Sequence, residues 1–147
     1  MNILDELRRD HAVLREEMAA LEAGAGRNRF ERFARDLARH AHTEDELLFR
    51  ELEAGLPPGH GPLAALRADH QEIESELDRL VRHGVDGDAL LDAAAVRRLT
   101  SLAREHFLKE EEVLFPFAVR LVDGLRLAEL GEAFRGCGKA TCCCAGH

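Results

Sequence analysis

Four histidines, His11, His40, His70 and His106, each stand where an amphipathic helical stripe calls for leucine, and three of them have a glutamate four residues on, Glu44, Glu74 and Glu110, the first and last within runs that repeat each other. A polar ring in a helical core is costly unless something satisfies it, and a buried carboxylate beside it is costlier still without a cation. Residues four apart on a helix project from one face, so His40 with Glu44 and His106 with Glu110 form two inward-facing claws. Imidazole and carboxylate without thiolate suit iron, manganese or zinc. Two ions fit better than one, because Glu44 and Glu110 could each bridge a pair held about 3.5–4 Å apart. Six protein ligands do not saturate two such ions, which leaves positions for dioxygen, peroxide, nitric oxide, hydroxide or water.

His42 competes with His40, since Glu46 follows it by four. The two histidines are about 200° apart around a helix, so only one can face the core. The apolar stripe selects His40, and an internal repeat selects it again. Leu7-Arg8-Arg9-Asp10-His11 matches Leu66-Arg67-Ala68-Asp69-His70, and the run from His40 to Phe49 matches that from His106 to Phe115. His42, Glu46, His60, His83 and His147 are therefore expected outside the core layer.

The elements that must carry these residues follow from apolar spacing. A first helix should start after Asn2 and run to Gly24-Ala25-Gly26 with Leu4, Leu7, Leu14, Met18 and Leu21 inward. A second should open at Asn28, with Glu31 completing a capping box, and bury Phe30, Phe33, Leu37 and Leu47 or Leu48. After Leu56-Pro57-Pro58-Gly59-His60-Gly61-Pro62, a third carries Leu63, Leu66, Ile73, Leu77 and Leu80. The fourth carries Ala95, Leu99, Leu102, Val113 and Phe117, with Pro116 expected to kink it, and a short further helix is expected over roughly 125–134. The architecture expected is all-α: an up-down-up-down four-helix bundle over residues 1–122, then a short helix and Cys-rich tail over 123–147.

Bulk properties narrow the function. Acidic residues outnumber basic ones 28 to 20, for a net charge of -8, which disfavours nucleic acid and anionic membranes as partners. No secretory leader or membrane span is evident, so a cytoplasmic location is expected. The chain has no Tyr, which excludes a tyrosyl-radical mechanism.

These residues resemble the hemerythrin-like proteins of the HHE cation-binding group over roughly residues 1–122. The resemblance is carried by Asp10-His11, His40-x-x-x-Glu44-Asp45-x-x-Leu48-Phe49, Asp69-His70 and His106-x-x-x-Glu110-Glu111-x-x-Leu114-Phe115-Pro116. It implies a left-twisted bundle around a non-haem centre of two iron ions, bridged by two carboxylates and an oxo or hydroxo group, with manganese or zinc ranked behind iron. Oxygen carriers of that group have a second histidine four residues from that of the third helix, where this chain has Leu66 and Glu74. Glu74 is thus a candidate seventh ligand or else a surface glutamate. The carriers also use an aspartate five residues after the last histidine, whereas Glu110 is four after His106, so reversible oxygen carriage is disfavoured.

Cys137, Cys142, Cys143 and Cys144 all lie near the chain's end, and in a reducing cytosol they would be thiols. With His147 they could supply a further metal site, a reductant, or a point of iron transfer to a client protein; a flexible end with exposed thiols is the plainer alternative. Three functions follow. The first is a di-iron protein that binds or reacts with dioxygen, peroxide or nitric oxide in sensing or stress defence. The second is iron storage and delivery, or iron–sulphur cluster repair, using the Cys tail. The third is a structural zinc-stabilised bundle.

Overall fold

The computed structural model describes residues 1–57, 59–83 and 92–139, and among these it is all-helical with no strand. Helix α1 spans Ile3–Glu22. Helix α2 runs over Arg27–Glu44, passes through a π-helical turn at Asp45–Phe49, and ends as Arg50–Ala54. Helix α3 is Leu63–His83. Helix α4 repeats the plan of α2, with Ala93–Lys109, a π turn at Glu110–Leu114 and Phe115–Leu121. Helix α5 is Gly124–Lys139, longer at its C-terminal end than the apolar spacing suggests. No helix among the described residues is long and apolar enough to cross a membrane.

Local chemistry explains the starts. Asn2 and Asp5 form a reciprocal capping box, the Asn2 side chain accepting from the Asp5 N–H at 3.1 Å and the Asp5 carboxylate from the Asn2 N–H at 3.3 Å. Asp92 caps α4 by accepting from the Ala94 N–H. The box expected at Asn28 does not form, because α2 begins at Arg27 with Gly26 as its cap, two residues before the expected one, and places Asn28 inside the first turn.

Helix α1 packs against α2 and α4, and α3 packs against the same two, closing a ring of four; α5 lies against α1 and the π turn of α2. Two apolar clusters fill the ring. One joins Leu14, Met18, Phe30, Phe33, Leu77 and Leu99 with their neighbours. The other joins Leu4, Leu7, Phe49, Leu52, Leu66 and Phe115, and is covered by Leu127 and Leu130 of α5. The polar layer of histidines and glutamates lies between them, set by His11, His40, His70 and His106 in mid-stripe.

The π turns position that layer. On an ideal α-helix each four-residue step drifts by about 40°, so the series His40, Glu44, Leu48, Leu52 would wander about 120° off the core. In the π turns the Arg50 N–H donates to the Asp45 carbonyl and the Phe115 N–H to the Glu110 carbonyl, each taking in one extra residue. The drift is absorbed, and Leu48, Leu52, Leu114 and Ala118 are all at most 1% exposed. This corrects the expected stripe of α4: Val113 is exposed and Phe117 only half-buried, while Leu114 and Ala118 face the core. It also resolves Leu47 against Leu48 in favour of Leu48. Pro116 does not break α4, since it falls in the first turn of the α-helix that resumes after the π turn.

Candidate metal centre

His11 from α1, His40 and Glu44 from α2, His70 from α3, and His106 and Glu110 from α4 come together in the polar layer, and all six are buried. They form two overlapping groups of four, His11, His40, Glu44 and Glu110 on one side and His70, His106, Glu44 and Glu110 on the other. Within each group the ligand atoms lie within 4.8 Å of one another. Both glutamates belong to both groups. Glu44 divides its oxygens between them, Oε1 lying 3.2 Å from His70 Nε2 and Oε2 3.8 Å from His40 Nε2. Glu110 Oε1 lies 3.2 Å from His11 Nε2 and 3.4 Å from His106 Nε2.

These contacts are close without being hydrogen bonds. All four Nε2 atoms and all four carboxylate oxygens of Glu44 and Glu110 are buried and unsatisfied within the chain. Eight orphaned donor atoms converging on one spot would be a heavy penalty for a purely structural core, whereas a cation satisfies them together. The donor set passes the test of fit for a metal of intermediate hardness.

The other ring nitrogen of each histidine is held by a carboxylate. His40 Nδ1 is 3.0 Å from Asp10, His70 Nδ1 3.0 Å from Asp45, His106 Nδ1 3.1 Å from Asp69 and His11 Nδ1 3.2 Å from Glu111. Carboxylates only accept, so each Nδ1 carries a proton, and in the neutral ring that binds a metal each Nε2 has its lone pair facing the centre. Each supporting carboxylate comes from the helix before its histidine in the ring: α1 serves α2, α2 serves α3, α3 serves α4, and α4 serves α1. Cations brace three of these acids, Arg15 on Glu111, Lys109 on Asp69 and Arg67 beside Asp45.

Sequence reasoning gave these four acids no role. The signal was the doublets Asp10-His11, Asp69-His70, Glu44-Asp45 and Glu110-Glu111, repeated in both halves. A neighbour on a helix points about 100° away, so it serves the next helix rather than its own histidine.

Electrostatics before any cation arrives reflect the crowding. Burial, followed by the charge of Glu110, pushes Glu44 up to about 8. Burial pushes Glu110 up to about 7, with Glu44 and His70 pulling the other way. Burial pulls His70 down, but its bond to Asp45 and the Glu44 carboxylate beside it outweigh that and leave it raised to about 10. His11 and His106 are lowered, by burial first and then by the neighbouring histidines.

Glu74 is not brought to the cluster. It is exposed on α3 and belongs to neither group of four. Buried Ile73 and Leu77 mark the core stripe there, and Glu74 lies about 100° round from Ile73. His42, Glu46 and His60 are exposed as expected. Cys142, Cys143, Cys144 and His147, and the side chain of His83, lie outside the described residues. Cys137 is disulfide-bonded, not the thiol expected.

A cavity of about 170 Å³ reaches the cluster between α2 and α3. Its lining includes His40, His70 and His106 of the cluster, the apolar Leu37, Ile73, Leu77 and Phe107, and Ala38, Ala41, His42, Asp45 and Glu74.

Among known families, residues 2–118 match the model described as the hemerythrin HHE cation binding domain. Comparison with curated proteins and with solved structures gives no match.

Proposed function

The chain belongs to the hemerythrin HHE cation-binding domain family, and from that premise we propose that it holds two iron ions between its helices and binds or reacts with a small oxidant such as dioxygen, peroxide or nitric oxide. The observation that carries this reading is the sharing of Glu44 and Glu110 by two four-residue groups whose inward atoms all lack a partner. His11 and His40 would hold one ion and His70 and His106 the other, with both glutamates common to them. The alternating course of the four helices, up-down-up-down, is the arrangement the two apolar clusters support.

Bound iron would supply electrons and open coordination positions. The chain supplies the rest. Asp10, Asp45, Asp69 and Glu111 fix the tautomer and aim of each imidazole. Phe107, Phe115 and Phe49 keep water from the ring faces, Phe107 stacking on His11 at 4.1 Å and Phe49 on His70 at 5.3 Å. The cavity gives a small molecule room beside the centre.

The test is elemental analysis of protein expressed in iron-replete cells, with absorption spectra before and after dioxygen, peroxide and nitric oxide. About two irons per chain and a spectrum that responds to one of these ligands are expected. Zinc alone, with no visible bands after aeration, would sink the reading in favour of a structural bundle.

A further inference from the structure

The two halves of the protein are related residue by residue, and the places where the repeat fails are informative. In α1 and α3, His11, Leu14, Arg15 and Met18 correspond to His70, Ile73, Glu74 and Leu77. In α2 and α4, Ala38, Ala41, His42 and Asp45 correspond to Arg104, Phe107, Leu108 and Glu111. The seam between α4 and α1 and the seam between α2 and α3 are thus equivalent in backbone and different in side chains.

The α4–α1 seam is filled. Phe107 stacks on His11, its ring planes 15° apart, while Phe115 lies along the same ring. Arg15 lies over Phe107 at 5.6 Å and pairs with Glu111 through both guanidinium nitrogens, at 3.1 and 2.6 Å. Arg104, in the place of Ala38, pairs with Glu22 across the same seam. His11 is 0% exposed.

On the α2–α3 seam Phe49 keeps the place of Phe115, but the counterparts of Phe107, Arg15 and Arg104 are Ala41, Glu74 and Ala38, and those closures are missing. Ala41 stands where Phe107 stands on the other side, so His70 is stacked only by Phe49. Glu74 replaces Arg15, and a carboxylate cannot clasp Asp45 as Arg15 clasps Glu111. The cavity of about 170 Å³ occupies the space so left, and its lining includes His40, His70 and His106 but not His11. An engineered cavity of about 150 Å³ holds benzene or xenon, so this one takes a molecule of that order. Its walls are apolar, and Asp45 and Glu74 border it with negative charge, which favours neutral molecules over anions.

We propose that small neutral ligands reach the centre by the α2–α3 seam and meet its His70 side, the α4–α1 seam being shut by Phe107 and Arg15. This rests on the reading of the cluster as an iron centre, and the experiment separates the two ideas. In iron-loaded protein, Ala41→Phe should slow nitric oxide association at least about tenfold in stopped flow without changing iron content. Leu108→Phe, on the opposite seam, should leave the rate unchanged. Should Ala41→Phe fail to hold iron, Ala38→Trp, at an exposed position on the cavity edge, replaces it. Equal rates in the wild type and the blocked variant overturn the proposal. Independently of iron, xenon dissolved into the full-length protein should shift the methyl resonances of Ile73 and Leu77, and not those of their counterparts Leu14 and Met18. The reverse pattern, or equal shifts on both sides, also overturns it. Protein that takes up no iron fails the functional reading, while the xenon pattern still decides the entrance.

Discussion

Asp69 on α3 holds His106 on α4, its Oδ2 lying 3.1 Å from the imidazole Nδ1 and 3.0 Å from the ammonium of Lys109. Burial pushes this carboxyl up, but its bonds to His106 and Lys109 outweigh that and leave it below its ordinary value. Asp69→Ala removes the group that fixes which nitrogen of His106 faces the centre. Metal affinity should fall by about 10- to 100-fold with the helical content unchanged. Competition against a chelator of known strength measures it; unaltered affinity would show that Phe107 and the neighbouring apolar side chains orient the ring on their own.

His106→Ala and His42→Ala form a matched pair. The first removes a buried Nε2 from one group of four, the second an exposed ring beside the cavity. Bound metal should drop sharply in the first and stay at the wild-type level in the second, as read by elemental analysis of the purified proteins.

Metal binding should release protons. Near pH 7 Glu44, at about 8, and His70, at about 10, are protonated before the ion arrives, and Glu110, at about 7, is so in part. His11 and His106 are already neutral. Ligation needs all six groups deprotonated, so about two protons should leave near pH 7 and affinity should weaken from about pH 8 towards pH 6. The sign for the fold runs the other way. For the two glutamates and His70 the folded value is raised, so their contribution to stability is full below the unfolded values of 4.5 and 6.5 and is lost as pH rises through about 7, 8 and 10. The thermal stabilisation by metal should therefore grow with pH. Calorimetry in buffers of different ionisation heat counts the protons, and a buffer-independent heat would contradict the prediction.

Gly131 on α5 meets the start of α1 so closely that an added Cβ would lie 2.7 Å from the Met1 carbonyl oxygen and 2.8 Å from the Asn2 carbonyl carbon. Those neighbours are backbone and cannot swing aside. Arg135 pins the same region by donating to the Met1 carbonyl and to Glu6. Gly131→Ala should cost about 1–3 kcal/mol in urea unfolding while leaving metal content intact. A neutral result would mean that α5 is free to slide on α1.

Removing residues 137–147 bears on iron handling. Because the clustered ligands all lie on α1 to α4, iron content and the spectral response to peroxide should survive the truncation. Loss of iron transfer to an apo acceptor, with that response retained, would favour the handling function instead.

The histidine stripe and the pairing of His40 with His106 were legible because helical phase and an internal repeat leave their mark on residue order. The phase beyond Glu110 was not. A regular period puts Val113 and Phe117 inside, and only backbone hydrogen bonding reveals the extra residue that turns Leu114 and Ala118 inward instead. Glu74 stayed open between ligand and surface because sequence spacing on α3 says nothing about which flank of the stripe faces the neighbours. The roles of Asp10, Asp45, Asp69 and Glu111 were hidden for a related reason: each acts on a helix other than its own, and spacing along one helix cannot report a contact across two.

The carboxylate-to-histidine ring also bears on symmetry. Neither helical hairpin can orient both of its histidines alone: the first needs Glu111 for His11, and the second needs Asp45 for His70. Each does supply the acid for its own second histidine, Asp10 for His40 and Asp69 for His106. Two copies of one hairpin related by a twofold axis would close the same circuit, so a self-paired hairpin of half this length carries every group the centre needs. A single chain that carries both halves can differ between them, as it does at Ala41 and Phe107.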